Sequence, residues 1–293
     1  MLHRSSFFTH TEKERNVLRF FVLMQSFQTK KTTLSTLLLT GVFFIAHTLF
    51  PFACFGARAD IKPPKEWDTL SSYTTYFNAE ERDRSENIAI AAGLIDGIIL
   101  QAYGEFSFNQ TVGRRTAEAG FRQAKIIVNG EYVLGVGGGV CQVSTTLYNA
   151  ALKSGLTVTE FHPHTLRVSY VSPSRDAMVS SGSDLKLYNP YAHPVRLQAT
   201  VFDGGLRVCF FGKNEGYRYE ITSVLLGETS PPPPIIKTGD REEILRAPKN
   251  GVKSEAYLER YRGEQLLERK RLRTDEYRPI QGILVKKIEN TIE

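Results

Sequence analysis

The sequence predicts an α+β fold, helices packed on an antiparallel sheet, with a small β extension at the C-terminus. Apolar patterns of helical period come first and patterns of period two follow. A proline run then separates them from a last segment of short strands with exposed charges. Apolar residues make up 41% of the 293, enough to bury a core.

Residues 1–59 read as a leader. Lys30 and Lys31 precede an apolar run, 34–55, that carries no charge and leads into Ala57-Arg58-Ala59. A basic segment, an apolar segment and small residues before the cut describe a secretory signal cleaved after Ala59. The alternative is a retained membrane anchor through 34–55, since about 20 apolar residues span a bilayer. The charged stretch 11–19 does not suit a signal, and a start at Met24 gives one of ordinary length. Either way the chain is expected to be exported, to the periplasm or the outer face of the cytoplasmic membrane.

Residues 60–66 are a polar linker containing Pro63-Pro64, and 67–212 form the main domain. A helix is predicted over 84–101 from the spacing of Ile88, Ala91, Ala92, Ile95 and Ile99, with Asp83 and Glu86 as a capping box. Strands over 124–128 and 131–134 flank Asn129-Gly130, a hairpin turn. Gly137-Gly138-Gly139 opens a second helix that runs to Lys153 and stops at Ser154-Gly155, burying Val143, Leu147, Ala150 and Ala151. The period then changes to two in Leu166/Val168/Tyr170, Leu185/Leu187 and Val195/Leu197/Ala199/Val201. Asp203-Gly204-Gly205 turns the chain back through Leu206 to Phe211. Residues 213–250, with Pro231 to Pro234, read as an extended spacer. Residues 251–293 form the β extension.

The net charge of +6 is spread along the chain. There is no aromatic RNA-binding signature, zinc spacing or basic helix, so no nucleic-acid partner is expected. Three cysteines are too few for a disulfide framework. No cofactor is expected, and His162-Pro163-His164 with Asp176 lacks a firm third ligand, so no metal is expected either.

Chemistry concentrates at Gly137 to Tyr148. The glycine run implies positive φ or close backbone approach, and it sets the Cys141 thiol at a helix N-terminus, which favours the thiolate. A nucleophilic cysteine there, followed by a histidine, is the arrangement of papain-like and transglutaminase-like folds. His164 is the candidate base and Asp176 or Asp184 the candidate orienter. Gly138, Gly139, Gln142, Thr145 and His162 are candidate binding residues, with backbone N–H groups over 139–142 as an oxyanion hole. The bland alternative makes Cys141 a small buried hydrophobe.

Five separated motifs carry a family resemblance: Arg84 with Asn87; Gly104-Glu105-Phe106-Ser107-Phe108-Asn109; residues 137–151; residues 160–164; and Asp176-Ala177-Met178-Val179 with Asp184 to Asn189. In this order they resemble the VanW family over about 71–212. The chain departs from it at Phe161, where the family carries a basic residue, and at Met178, where it carries a small β-branched one. Residues 251–285 resemble a small glycine-five type β module. The resemblance implies an envelope protein, related to glycopeptide resistance, that binds or modifies peptidoglycan or another wall polymer. The alternative is a cysteine-dependent amidase, peptidase or acyltransferase acting on peptidoglycan peptides through Cys141 and His164.

Overall fold

The computed structural model describes residues 67–128 and 130–287. The leader, its signal and anchor readings and the 60–66 linker lie outside these residues. Among the described residues no helix is long and apolar enough to cross a membrane.

Three helices, α1 (Arg82–Ile95), α2 (Phe108–Val112) and α3 (Val140–Lys153), are set among fifteen strands. Strands hold 46% of the described residues and helices 15%. The fold is therefore β-rich, built of mostly antiparallel sheets, and the α+β expectation with its papain- or transglutaminase-like arrangement is corrected. One sheet runs β1 (Asp68–Tyr76), β9 (Gly205–Gly212), β8 (Val195–Phe202), β2 (Ile99–Leu100). A second runs β3 (Glu105–Ser107), β7 (Lys186–Tyr188), β6 (Thr157–Glu160), and β4 (Gln123–Val128) pairs with β5 (Glu131–Val136). In the C-terminal third β10 (Arg218–Thr229), β13 (Gly251–Arg262) and β14 (Gln265–Tyr277) form one sheet. The last is β11 (Ile235–Gly239), β15 (Ile283–Lys287) and β12 (Glu243–Arg246), with β11 parallel to β15. Strands β10, β11 and β12 thus fall within the segment read as a spacer.

The unforeseen strands include β1 and β10 to β12, whereas β13 and β14 lie in the expected β extension and are held largely by cross-strand charge pairs. Arg271 meets Glu255 at 3.0 Å, Arg269 meets Glu259 at 3.2 Å, and the Arg269 guanidinium lies 4.4 Å from the Tyr257 ring centroid. Such pairing stabilises a sheet without an apolar alternation to announce it.

Helix α3 is the centre of the main core. Its stripe of Val143, Leu147, Ala150 and Ala151 is fully buried as expected. The polar side is buried too, because β1 lies against it. Ser71 Oγ donates to the Ala150 carbonyl at 2.7 Å, and the Thr75 and Thr146 hydroxyls are 2.8 Å apart.

Three local expectations change. Helix α1 ends at Ile95, because Asp96 is extended and Gly97 takes φ +74°. Ile99 then joins β2 instead of extending the helical stripe. The capping box does not form; Glu81 is the N-cap, without a side-chain cap bond. In addition, Leu166 to Tyr170 is not a strand. Leu166 and Val168 are buried as the alternation implies, but no neighbouring strand pairs with them.

Candidate active site

The glycine run is a close-packing device. A Cβ on Gly138 would lie 2.7 Å from the Ala124 carbonyl carbon and from the Lys125 carbonyl oxygen of β4. Gly139, with φ +107°, sits close to α1: its Cβ would be 3.0 Å from the Arg84 carbonyl oxygen. Buried Asn87 on α1 fixes the approach by donating to the Gly138 carbonyl at 2.9 Å and accepting from the Arg122 N–H at 2.7 Å. Helix α3 therefore starts where β4 and α1 converge, with Cys141 in its first turn.

Cys141 is half-buried and free of any disulfide. Its thiol lies 3.4 Å from the Val179 carbonyl. The His164 imidazole lines the same cleft as the thiol and acts on it electrostatically. On the other side of that imidazole, His164 Nδ1 meets Asp176 Oδ2 at 2.6 Å, and the same oxygen accepts the His164 backbone N–H at 2.7 Å. With Nδ1 committed to Asp176, the ring has Nε2 left for the sulfur. Cys141 thus faces a His164–Asp176 pair, and His164 and Asp176 both sit on irregular loop rather than on strands.

The electrostatics follow from that chain. Burial alone would push the Cys141 thiol up, but His164 and the positive charge of Arg115 outweigh it and hold the pKa below the ordinary value. Burial likewise opposes a charged imidazole, yet the hydrogen bond to Asp176 and the influence of Cys141 raise His164 to about 9. Asp176 is buried and still lowered, since His164, Arg273 and Tyr277 all favour its carboxylate. The Cys141 and His164 shifts both favour the thiolate–imidazolium form of the pair.

Cys141 and His164 open onto a cleft of about 1060 Å³. Its wall carries Arg84, Arg114, Arg115 and Lys125 against a single carboxylate, Glu81. Tyr170 also lines it, its phenol held neutral by burial and by the charge of Cys141. In the first turn of α3, Val140 N–H is bonded to Gly137 O at 3.1 Å and Gln142 N–H to Gly139 O at 2.9 Å.

The other candidate residues have structural partners. Gln142, in the cleft lining, accepts from Arg84 Nη2 at 2.6 Å and donates to Thr75 Oγ1 at 2.9 Å and the Tyr76 carbonyl at 3.0 Å, so it aims Arg84. Thr145 accepts the Ala177 N–H at 3.0 Å and anchors the loop carrying Asp176. Ser144 does the same through the Ala177 carbonyl at 2.6 Å. His162 is paired with Glu160 at 3.0 Å. Asp184 is separate from the imidazole: it accepts from Ser107 Oγ at 2.5 Å and from the Asn109 N–H at 2.8 Å, at the start of α2. Among the described residues no three His, Cys, Asp or Glu side chains converge in a metal-binding group.

Arg115, Tyr170, Arg273 and Tyr277 were not singled out from the sequence. The first two sit in stretches without a motif, and the last two are more than 90 residues from Asp176, which they touch.

Residues 83–211 match the family model described as VanW like protein. The chain is 42% identical over 146 residues to the uncharacterized protein YoaR of Bacillus subtilis (strain 168), covering 50% of this chain and 48% of that protein. It is 27% identical over 128 residues to the vancomycin B-type resistance protein VanW of Enterococcus faecalis (strain ATCC 700802 / V583), covering 41% and 46%. The match thus spans about half the length of these curated relatives. Among solved structures, the crystal structure of HP0197-G5 is matched over 24% of this chain and 96% of its own, at 18% identity and a TM-score of 0.14.

Proposed function

From a chain whose residues 83–211 form a VanW-like domain, we propose a cysteine-dependent acyl-transfer enzyme of the amidase or peptidase type. Its substrates are peptides of peptidoglycan or another wall polymer, met outside the cytoplasm. The observation that carries this reading is the 2.6 Å Asp176–His164 pair set in the same open cleft as a Cys141 thiol whose pKa that imidazole helps to lower.

The reaction divides into two steps. The Cys141 thiolate attacks a carbonyl carbon; the S–C bond forms, the amide C–N bond breaks, and the His164 imidazolium gives its proton to the departing amine. Water then attacks the thioester, passing one proton to His164, and the carbonyl–sulfur bond breaks to release the acid and restore the ion pair. Asp176 keeps the imidazole oriented and charged. The cleft's cations face the oxygen that becomes negative in each step. The excess of Arg84, Arg114, Arg115 and Lys125 over Glu81 supports a substrate bearing a free carboxylate near the scissile bond.

The name of the Enterococcus relative ties that protein to vancomycin resistance, which supports a wall-directed substrate for this chain. Lys30-Lys31, the apolar run 34–55 and Ala57-Arg58-Ala59 support export. A second reading, binding of an anionic wall polymer without turnover, is favoured by the same cluster of cations.

The test combines a trap with a digest. Iodoacetamide should label Cys141 of the purified protein well below the pH at which an ordinary thiol reacts. Mass spectrometry of muropeptides should show cleavage that disappears in Cys141→Ser and in His164→Ala alike. An unreactive Cys141 ends the enzyme reading. A reactive one with intact wall binding and no cleavage of any muropeptide leaves the binding reading.

A further inference from the structure

Residues outside the matched segment 83–211 hold the acid of the triad. Asp176 Oδ2 is occupied by His164, and Oδ1 accepts the Tyr277 hydroxyl at 2.5 Å and Arg273 Nη2 at 3.4 Å. Arg273 Nη1 also donates to the Asp176 carbonyl at 2.6 Å. Both residues lie on β14. Arg273 is itself fixed on its far side by Asp275, 2.5 Å from its Nε, and by the Phe161 ring, whose centroid is 4.9 Å from the guanidinium carbon. The Tyr277 oxygen also accepts the Ser174 N–H at 2.7 Å, and Ser174 Oγ meets Ser254 Oγ of β13 at 2.7 Å. The side chains of Arg273, Asp176 and His164 are at most 4% exposed, so water cannot stand in for a lost partner.

We infer that Tyr277 and Arg273 are positioning residues for the nucleophile, and that the C-terminal sheet is part of the catalytic apparatus. By filling Oδ1 they turn Oδ2 toward the imidazole and keep the carboxylate ionised beside it. That charge holds the proton on His164, and the charged imidazole in turn keeps Cys141 as thiolate. Phe161 fits the same account. Its ring lies beneath the guanidinium that β14 supplies.

This inference rests on the catalytic reading of Cys141, and one experiment separates the two. Initial rates of iodoacetamide labelling at Cys141 are followed against pH in the wild type, in Tyr277→Phe and in Tyr261→Phe. The last removes a comparable hydroxyl–carboxylate bond, 2.9 Å to Glu259, from β13 of the same sheet. The expected result is a labelling profile displaced to higher pH in Tyr277→Phe, with labelling at pH 7 slowed about tenfold, as for one lost hydrogen bond to a charged group. Tyr261→Phe should follow the wild type. Asp275→Asn, which releases Arg273 without touching Asp176, should move the profile the same way by less.

A folded Tyr277→Phe with the wild-type profile overturns the positioning role while leaving the triad standing. An ordinary thiol profile in the wild type overturns the catalytic reading and this inference with it. If Tyr277→Phe and Asp275→Asn both fail to fold, the contacts serve the fold and the positioning role is overturned.

Discussion

Asp176 and Asp184 are eight residues apart on one loop, both buried, both accepting several hydrogen bonds, yet they sit in different kinds of site. Around Asp176 the donors are an imidazole, a guanidinium and a phenol, and beyond the imidazole lie a thiol and a cleft. Around Asp184 they are the hydroxyl of Ser107 and backbone N–H groups of Asn109 and Leu185, which close the loop onto the start of α2. A buried carboxylate is informative only through its partners. Titratable partners make a relay, whereas backbone partners make a cap.

The largest test of that contrast replaces the titratable partners themselves. Cys141→Ser and His164→Ala should each reduce turnover about 10³-fold or more, with the double variant no worse than either, since members of a relay act as a unit. Additive losses in kcat/KM would mean that the two side chains work separately.

Next come the aspartates. Asp176→Asn should slow turnover about 10²- to 10⁴-fold by leaving the imidazole in the wrong state and orientation. Asp184→Asn should leave Cys141 labelling within about twofold and lower unfolding stability by about 1–3 kcal/mol, through weakened bonds to Ser107 and Asn109. If urea titration and labelling show the reverse pattern, the assignment of the two carboxylates is wrong.

The pH dependence sharpens the same point. Turnover should rise as Cys141 ionises, below the usual thiol range, and fall above about 9 as His164 loses the proton it gives the leaving group. Stability carries the linked sign. His164 is raised from 6.5 to about 9, so its contribution is complete below 6.5 and lost as pH climbs through 9. Cys141 is lowered from 9.0, so its contribution is present above 9.0 and lost as pH falls through its depressed value. Urea midpoints in His164→Gln should lack the decline between 6.5 and 9. An unchanged slope would assign that decline to other groups.

The smallest effect compares the backbone of the two sites. Gly138→Ala would drive a methyl into β4 and should cost about 1–3 kcal/mol in thermal or urea unfolding. Gly182→Ala, two residues from Asp184, meets nothing within 4 Å and should be neutral or stabilising by about 0.4–1 kcal/mol. Equal costs would mean that the glycine run is not the tighter of the two.

The sequence by itself determined the local features of this protein. The apolar stripe of α3 is legible because Val143, Leu147, Ala150 and Ala151 recur at its period. The start of that helix is legible because only glycine tolerates φ +107° and the close approach at 138–139. Those two features place Cys141 at a helix head without any tertiary knowledge. Tertiary structure decided the rest. The choice of Asp176 over Asp184 depends on which carboxylate the loop folds back onto His164, and no local pattern encodes that. The β-rich class was decided by strands that no local pattern announced, β1 paired with β9 and β10 to β12 within the segment read as a spacer. The grip of Tyr277 and Arg273 on Asp176 spans 101 and 97 residues of sequence. It exists only because burying that sheet's edge strand brings a phenol and a guanidinium, both in need of partners, onto the Asp176 carboxylate.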